Sequence, residues 1–324
     1  MSLSVRVEQH GGPEVMQLVD LPLQPPGAGQ LRVRHQAIGL NFIDIYQRAG
    51  LYKVALPSGM GSEAAGTVSA VGPEVSGFAV GDRIAYAGGP LGAYSEERLL
   101  PAANAVKLPA QVSAEAAAAL MLKGMTAWYL LHRTFPVGPG TTLLMHAAAG
   151  GVGSALVPWA KHLGATVIGT AGSAEKAEVA RQSGCDHVIL YREQDVAAEV
   201  RKLTGGTGVD VVYDSVGKDT FAGSLDSLRR RGTLVSFGNA SGKVPPFEPV
   251  LLAEKGSLFL TRPRLGDYVA TREELETAAN ALFAVIGSGV VKPEIRQRYP
   301  LREAARAHTE MEARQTTGTS LLLP

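Results

Sequence analysis

Residues Thr141–Gly164 read TTLLMHAAAGGVGSALVPWAKHLG, and this stretch decides the fold. A short apolar run, Leu143 to His146, meets a small-residue turn, Ala147 to Gly153, and continues into helical spacing that stops at Gly164. Strand, tight turn and helix in that order form the first half of a dinucleotide-binding βαβ unit. Gly150 and Gly151 lack a Cβ, so the backbone can turn sharply and approach a pyrophosphate, while Gly153 lets the helix pack close to the strand. The phosphate would sit on the helix N-terminus, where free N–H groups and the macrodipole favour negative charge. Ala148 stands where G-x-G-x-x-G has its first glycine. An ordinary strand-to-helix turn can share this composition, so the flanking sequence must discriminate.

Working outward, Ala165 to Thr170 reads as a second strand, Glu175 to Ser183 as a helix, Asp186 to Tyr191 as a third strand and Val196 to Thr204 as another helix. Val209 to Ser215, a helix around Phe221 to Arg229, and Gly232 to Gly238 follow. This alternation predicts a doubly wound parallel sheet, and the nearly continuous apolar strands suit a sheet covered on both faces. An NAD site usually places an acid roughly 20 residues beyond the first glycine, on the ribose 2′-OH. Here that place reads Thr170-Ala171-Gly172-Ser173, with Lys176 just beyond. A carboxylate would repel a 2′-phosphate, so its absence and the nearby lysine point to NADP rather than NAD. Tyr191 can cover the same region. Alone, Lys176 would also read as a solvated helix residue.

The chain has 324 residues, enough for two domains with real cores. Its formal net charge is +1, and no basic cluster exceeds Arg229-Arg230-Arg231. Neither nucleic acid nor a membrane surface is suggested as a partner. A single cysteine, Cys185, excludes an intrachain disulfide and makes the cytoplasm the natural location. The N-terminus lacks a secretory apolar core, and no apolar run is long enough to span a membrane.

Residues 1 to about 120 have a different texture, with short alternating segments (Ser4–Glu8, Leu31–Ala37, Gly66–Val71, Asp82–Ala87) punctuated by Gly and Pro. These predict a mostly antiparallel β domain. Gly39 to Tyr52 looks like a strand end leading into a short helix. Glu63, polar among small residues, reads first as a buried hydrogen-bond acceptor and second as an acid–base group. Ser113 is an N-cap candidate for an alanine-rich helix expected to break near Gly124 and resume through Thr126 to Arg133. Pro245-Pro246 and Pro249 mark a loop, Phe259 to Pro263 reads as a strand, Arg272 to Ile286 as an amphipathic helix, and the tail as short β segments ending Thr319 to Pro324.

Four ordered motifs, GMGSEAAGTVSAVG (59–72), FAVGDRIAY (78–86), AAAGGVG (147–153) and the closing TTGTSLLLP (316–324), resemble the zinc-independent quinone oxidoreductases, the zeta-crystallin type, of the medium-chain dehydrogenase/reductase superfamily. The resemblance runs through essentially the whole chain. It implies an α/β fold, a GroES-like β domain (1–122 and 262–324) plus a Rossmann doubly wound parallel-sheet nucleotide-binding domain (123–261), and dimers or tetramers associating through the nucleotide domains, with a homodimer expected here. Pro158 departs from the family pattern, which usually has Gln there; a proline removes one helical hydrogen bond and is expected to kink the helix at a cost of ~3 kcal/mol. The zinc-dependent relatives place Cys where this chain has Asn41, His where it has Ser62, and four further cysteines around a structural zinc. With one cysteine and scattered histidines, no metal is expected.

The implied activity is hydride transfer from NADPH, without metal, to a quinone in an interdomain cleft, the protein supplying position, electrostatics and exclusion of water. By the resemblance, Asn41, Tyr46 and Tyr52 line the acceptor site, where an amide and phenols can donate to an oxygen that becomes negative. Both tyrosines would equally suit domain packing, and Asp44 reads as a helix or hinge acceptor. The resemblance places Lys123 and Thr126 near the nicotinamide, with Asn41 beside it, and Gly150, Gly151 and Val152 at the pyrophosphate. Gly172, Ser173, Lys176, Tyr191 and Arg314 would surround the adenosine phosphate, and Ser215, Phe237, Gly238, Phe259 and Arg262 the rest of the groove. Arg314 and Arg262 also read as plain surface charge. Two alternatives stand beside quinone reduction: an NADPH-dependent reductase of α,β-unsaturated aldehydes or ketones, and a non-catalytic NADPH-binding protein, crystallin-like or RNA-binding, the latter disfavoured by near-neutral charge.

Overall fold

The computed structural model describes all residues, Met1–Pro324. In chain order the elements are β1 (Ser2–Val7), β2 (Met16–Leu21), β3 (Gln30–Gly39), α1 (Phe42–Arg48), β4 (Ser58–Gly59), β5 (Glu63–Val71), β6 (Arg83–Ala87), β7 (Glu97–Pro101), β8 (Val106–Lys107) and α2 (Ala114–Tyr129). The alternating middle follows as β9 (Thr142–Met145), α3 (Gly151–His162), β10 (Thr166–Ala171), α4 (Ala174–Gln182), β11 (His187–Leu190), α5 (Val196–Leu203), β12 (Val209–Asp214), α6 (Phe221–Ser227), β13 (Leu228–Ser236), α7 (Val250–Glu254) and β14 (Phe259–Thr261). The chain ends with α8 (Arg272–Gly287), β15 (Ile295–Pro300), α9 (Ala304–Glu312) and β16 (Thr319–Leu323). Two compact units result: Met1–Lys123 with Val269–Gly287 and Lys292–Pro324, and Gly124–Tyr268 with Ser288–Val291.

The first unit contains a three-stranded sheet, β2-β1-β4, and a seven-stranded sheet ordered β15-β16-β3-β5-β6-β8, with β7 also paired to β3. Alternation along β3 buries Leu31 and Val33, and after a register shift between His35 and Ala37 the strand adds Ile38 to the same core, shared with Val68, Ile84, Tyr94 and Leu322. The second unit is a six-stranded parallel sheet ordered β11-β10-β9-β12-β13-β14. This is the doubly wound order, whose direction reverses beside β9, the strand before the glycine turn. Leu144, Ile168, Ile189, Val212 and Leu234 form its buried centre.

Two local expectations are corrected. α2 runs without interruption through Gly124, starting from the cap in which Ser113 Oγ accepts the Ala116 N–H at 3.1 Å. The irregularity comes later, as a π-helical turn over Leu130–Thr134, where the Leu130 carbonyl is drawn off by Tyr213 Oη (2.8 Å) and Thr134 Oγ1 (2.7 Å). Pro158 lies inside α3, and the helix continues past it to His162. Its neighbours Val157 and Trp159 are buried. The tail contains a helix, α9, that its sequence hid. Its buried face is Ala304, Ala307, His308 and Met311, a stripe with correct spacing but little hydrophobicity.

Candidate active site

In the first unit the acceptor-side candidates stand at the β3–α1 junction. Asn41 caps α1, and its N–H donates to Asp44 Oδ2 at 2.9 Å, closing a capping box. The Asn41 side chain is committed as well: Nδ2 donates to Glu63 Oε2 at 2.8 Å. Glu63 is fully buried and also accepts the Leu122 N–H at 2.6 Å and the Lys123 ammonium at 3.5 Å. Room for that carboxylate exists because residue 39 is glycine; a Cβ there would lie 2.2 Å from Glu63 Oε2 and 2.3 Å from the Ala118 carbonyl. Tyr46 and Tyr52 are half-buried, their rings edge-to-face at 5.3 Å, with the Tyr52 N–H donating to the Tyr46 carbonyl.

A buried chain runs behind Asn41. Arg48 Nη1 donates to His308 Nδ1 at 3.0 Å, His308 Nε2 lies 3.0 Å from Tyr94 Oη, and Tyr94 donates to Asp44 Oδ2 at 3.0 Å. Arginine only donates, so the neutral imidazole carries its hydrogen on Nε2 and every bond points toward Asp44. Glu312 pairs with Arg48 at 2.8 Å. Burial raises the Asp44 carboxyl to about 7, against the Asn41 and Tyr94 hydrogen bonds, and lowers His308 to about 3, helped by Arg48. Nothing in the sequence revealed this group, because His308 and Arg48 stand 260 positions apart.

In the second unit nearly all nucleotide candidates stand at the C-terminal ends of the parallel strands. Gly150 is the N-cap of α3 and provides no side-chain cap, leaving first-turn N–H groups of Gly151 and Val152 for an anion. A methyl on Gly153 would come within 2.3 Å of the Ala148 carbonyl, and Ala147 holds a left-handed φ of 54° to make the turn. Gly172 and Ser173 follow β10; Ser173 Oγ caps α4 by accepting the Lys176 N–H at 3.3 Å. Tyr191 packs against Gly172, where a Cβ would meet its Oη at 2.5 Å. Ser215 follows β12 and Phe237-Gly238 follow β13, so closely that a Cβ on Gly238 would lie 2.3 Å from the Ser215 carbonyl. Arg262 follows β14, whereas Phe259 opens that strand opposite Thr233, back from the edge. Thr126 is buried on α2, and Arg314 belongs to the first unit, just after α9. Glycines at each close approach, an uncapped helix start and the absence of a carboxylate at Gly172-Ser173, directly after β10, fit a phosphorylated dinucleotide.

Residues 27–110 match the family model described as alcohol dehydrogenase GroES-like domain, and residues 151–284 the one described as zinc-binding dehydrogenase. The chain is 53% identical over 325 residues to a quinone oxidoreductase of Pseudomonas aeruginosa, covering all of both chains. It belongs to the quinone oxidoreductase family. This family lies within the medium-chain dehydrogenase/reductase superfamily. The Escherichia coli quinone oxidoreductase, whose crystal structure is complexed with NADPH, superposes with a TM-score of 0.98 at 50% identity, covering 99% of this chain and 100% of that one. A Burkholderia 2-haloacrylate reductase is 49% identical over 331 residues, covering 100% of this chain and 99% of its own.

The donor set of this oxidoreductase does not fit the zinc named in one family model. Asn41 and Ser62 are turned to Glu63 and Asp44, and no three His, Cys, Asp or Glu side chains converge as ligands. Cys185 is buried in the second unit, and burial pushes its thiol up to about 12, away from the thiolate that binds zinc. No helix is long and apolar enough to cross a membrane.

Proposed function

We propose that this chain is an NADPH-dependent quinone reductase that works without metal. The observation that carries the reading is the C-terminal edge of the parallel sheet, where an uncapped helix start, an acid-free end of β10 and the Gly172–Tyr191 contact build one dinucleotide groove. The high identity to quinone oxidoreductases supports it. Bound NADPH supplies a hydride to an acceptor that is already electrophilic. Gly150, Gly151 and Val152 hold the pyrophosphate, and Gly172, Ser173, Lys176, Tyr191 and Arg314 the adenosine phosphate. Lys123, Thr126, Ser215, Phe237, Gly238 and Arg262 orient the remainder. Phe259 is retained in this groove on the resemblance alone.

On the acceptor side, Asn41, Tyr46 and Tyr52 place N–H and O–H groups toward the oxygen that gains charge. Glu63 fixes the Asn41 carboxamide, and Asp44 fixes its backbone. Asp44, held near neutrality by burial, keeps a carboxyl proton close to Asn41 without adding a full negative charge. Two copies would pair through the open sheet edge at β14, where Phe259 is 62% and nearby Val250 59% exposed.

NADPH oxidation followed optically with 1,4-benzoquinone tests the reading, with NADH and a simple enone in parallel. Quinone turnover with strong NADPH preference is expected; equal use of NADH would defeat the phosphate assignment. Turnover of the enone alone would favour the second reading, reduction of an activated alkene, which the haloacrylate reductase relative supports. NADPH binding without turnover of either would favour a non-catalytic role.

A further inference from the structure

A second buried hydrogen-bond chain lies under the nucleotide edge. The Ala147 N–H, in the left-handed turn residue, donates to Thr170 Oγ1 at 3.2 Å. Thr170 Oγ1 is 3.2 Å from His146 Nδ1, and His146 Nε2 is 3.0 Å from Ser224 Oγ. Ser224 Oγ donates to Asp214 Oδ2 at 2.8 Å. Because the Ser224 hydrogen goes to Asp214, His146 must donate from Nε2 and accept from the Thr170 hydroxyl at Nδ1, so the tautomer and the direction of every bond are set. Thr170, His146, Ser224 and Asp214 are all buried, and burial lowers the His146 pKa, keeping the ring neutral.

The far end of the chain controls a second loop. Asp214 Oδ1 accepts the Val216 and Gly217 N–H groups at 2.8 and 3.1 Å, and its backbone carbonyl accepts the Phe237 N–H at 2.8 Å. Thr170 also holds the first loop twice, since its carbonyl accepts the Ala148 N–H at 3.1 Å. Thus one continuous chain ties the glycine turn after β9 to the loops after β12 and β13. A strained turn persists only when its surroundings over-determine it, and here Thr170 is what does so.

We propose that Thr170, His146, Ser224 and Asp214 are positioning residues that fix the spacing between the glycine turn, which holds the pyrophosphate of NADPH, and the loops after β12 and β13, which orient the remainder. This rests on the assignment of that sheet edge to NADPH. Thr170→Val keeps shape and β-branching but removes the hydroxyl, orphaning the Ala147 N–H and His146 Nδ1; Thr170→Ser keeps it. Fluorescence titration of the whole protein with NADPH is expected to show Kd about tenfold weaker for Thr170→Val, equivalent to ~1.4 kcal/mol, and within about twofold of wild type for Thr170→Ser. Melting of the ligand-free proteins accompanies the titration, with Ser224→Ala as a second variant. Wild-type Kd in both Thr170→Val and Ser224→Ala, whatever their melting temperatures, would overturn the proposal. So would equal loss in Thr170→Val and Thr170→Ser, because retaining the hydroxyl would then not rescue binding. Failure of the wild type itself to bind NADPH would instead refute the cofactor assignment beneath it.

Discussion

Glu63→Gln is the substitution for which the structure gives the sharpest expectation. The carboxylate is fully buried and accepts three donors: Leu122 N, Asn41 Nδ2 and Lys123 Nζ. Glutamine has the same shape but one oxygen. If that oxygen stays on the Leu122 N–H, the new NH2 faces the Asn41 amide and the Lys123 ammonium, donors against donors. Lys123, itself only 5% exposed, then loses the counter-charge of Glu63. Breaking a buried pair from one side costs about 3–5 kcal/mol. Lys123→Met strands the carboxylate in the same way. The double variant leaves no charge, so it is expected to cost at least ~2 kcal/mol less than the sum of the two single changes. Urea unfolding followed by circular dichroism measures all four proteins, with hydrogen exchange at the Leu122 amide reporting the site locally. A Glu63→Gln protein within about 0.5 kcal/mol of wild type, or strictly additive single changes, would refute the idea that this pair is electrostatically coupled.

Three further expectations concern charge. Lys176→Ala raises the KM for NADPH and leaves that for NADH nearly unchanged; equal effects on both in steady-state assays would remove Lys176 from the 2′-phosphate. Stability falls on acidification from about pH 6.5 to about 4: His35 and His308, lowered by burial to about 4 and about 3, take up protons on unfolding, whereas Asp44, raised to about 7, releases one. His35 and His308 against one carboxyl leave a net uptake of at least one proton, to which His146, also lowered by burial, adds, so at least ~1.4 kcal/mol is lost per pH unit, and a flat profile of unfolding free energy across that window would contradict these burials. Dialysis against a strong chelator leaves quinone turnover intact, and a loss restored by zinc would contradict the metal-free reading.

Periodicity made the second unit legible almost strand by strand, because a parallel sheet covered on both faces writes its strands as apolar runs. The glycine turn was legible for a related reason, since only residues without a Cβ suit such close backbone approaches. The helix α9 escaped because its buried face is made of alanines and a histidine. The expected break at Gly124 failed because a glycine inside a well-packed helix costs only ~1 kcal/mol. The π turn that does occur is caused by Tyr213, a residue 83 positions away from the carbonyl it takes.

The sequence by itself determined the alternation of strands and helices in the second unit, the glycine turn that suits a phosphate, and the absence of an acid directly after β10, because each is written in neighbouring residues. Only the tertiary structure decided which polar side chains act together. Arg48, His308, Tyr94 and Asp44, and likewise Thr170, His146, Ser224 and Asp214, come from distant segments. Their hydrogen bonds depend on packing that folds those segments onto one another, and a buried donor bonds to whichever acceptor the fold delivers.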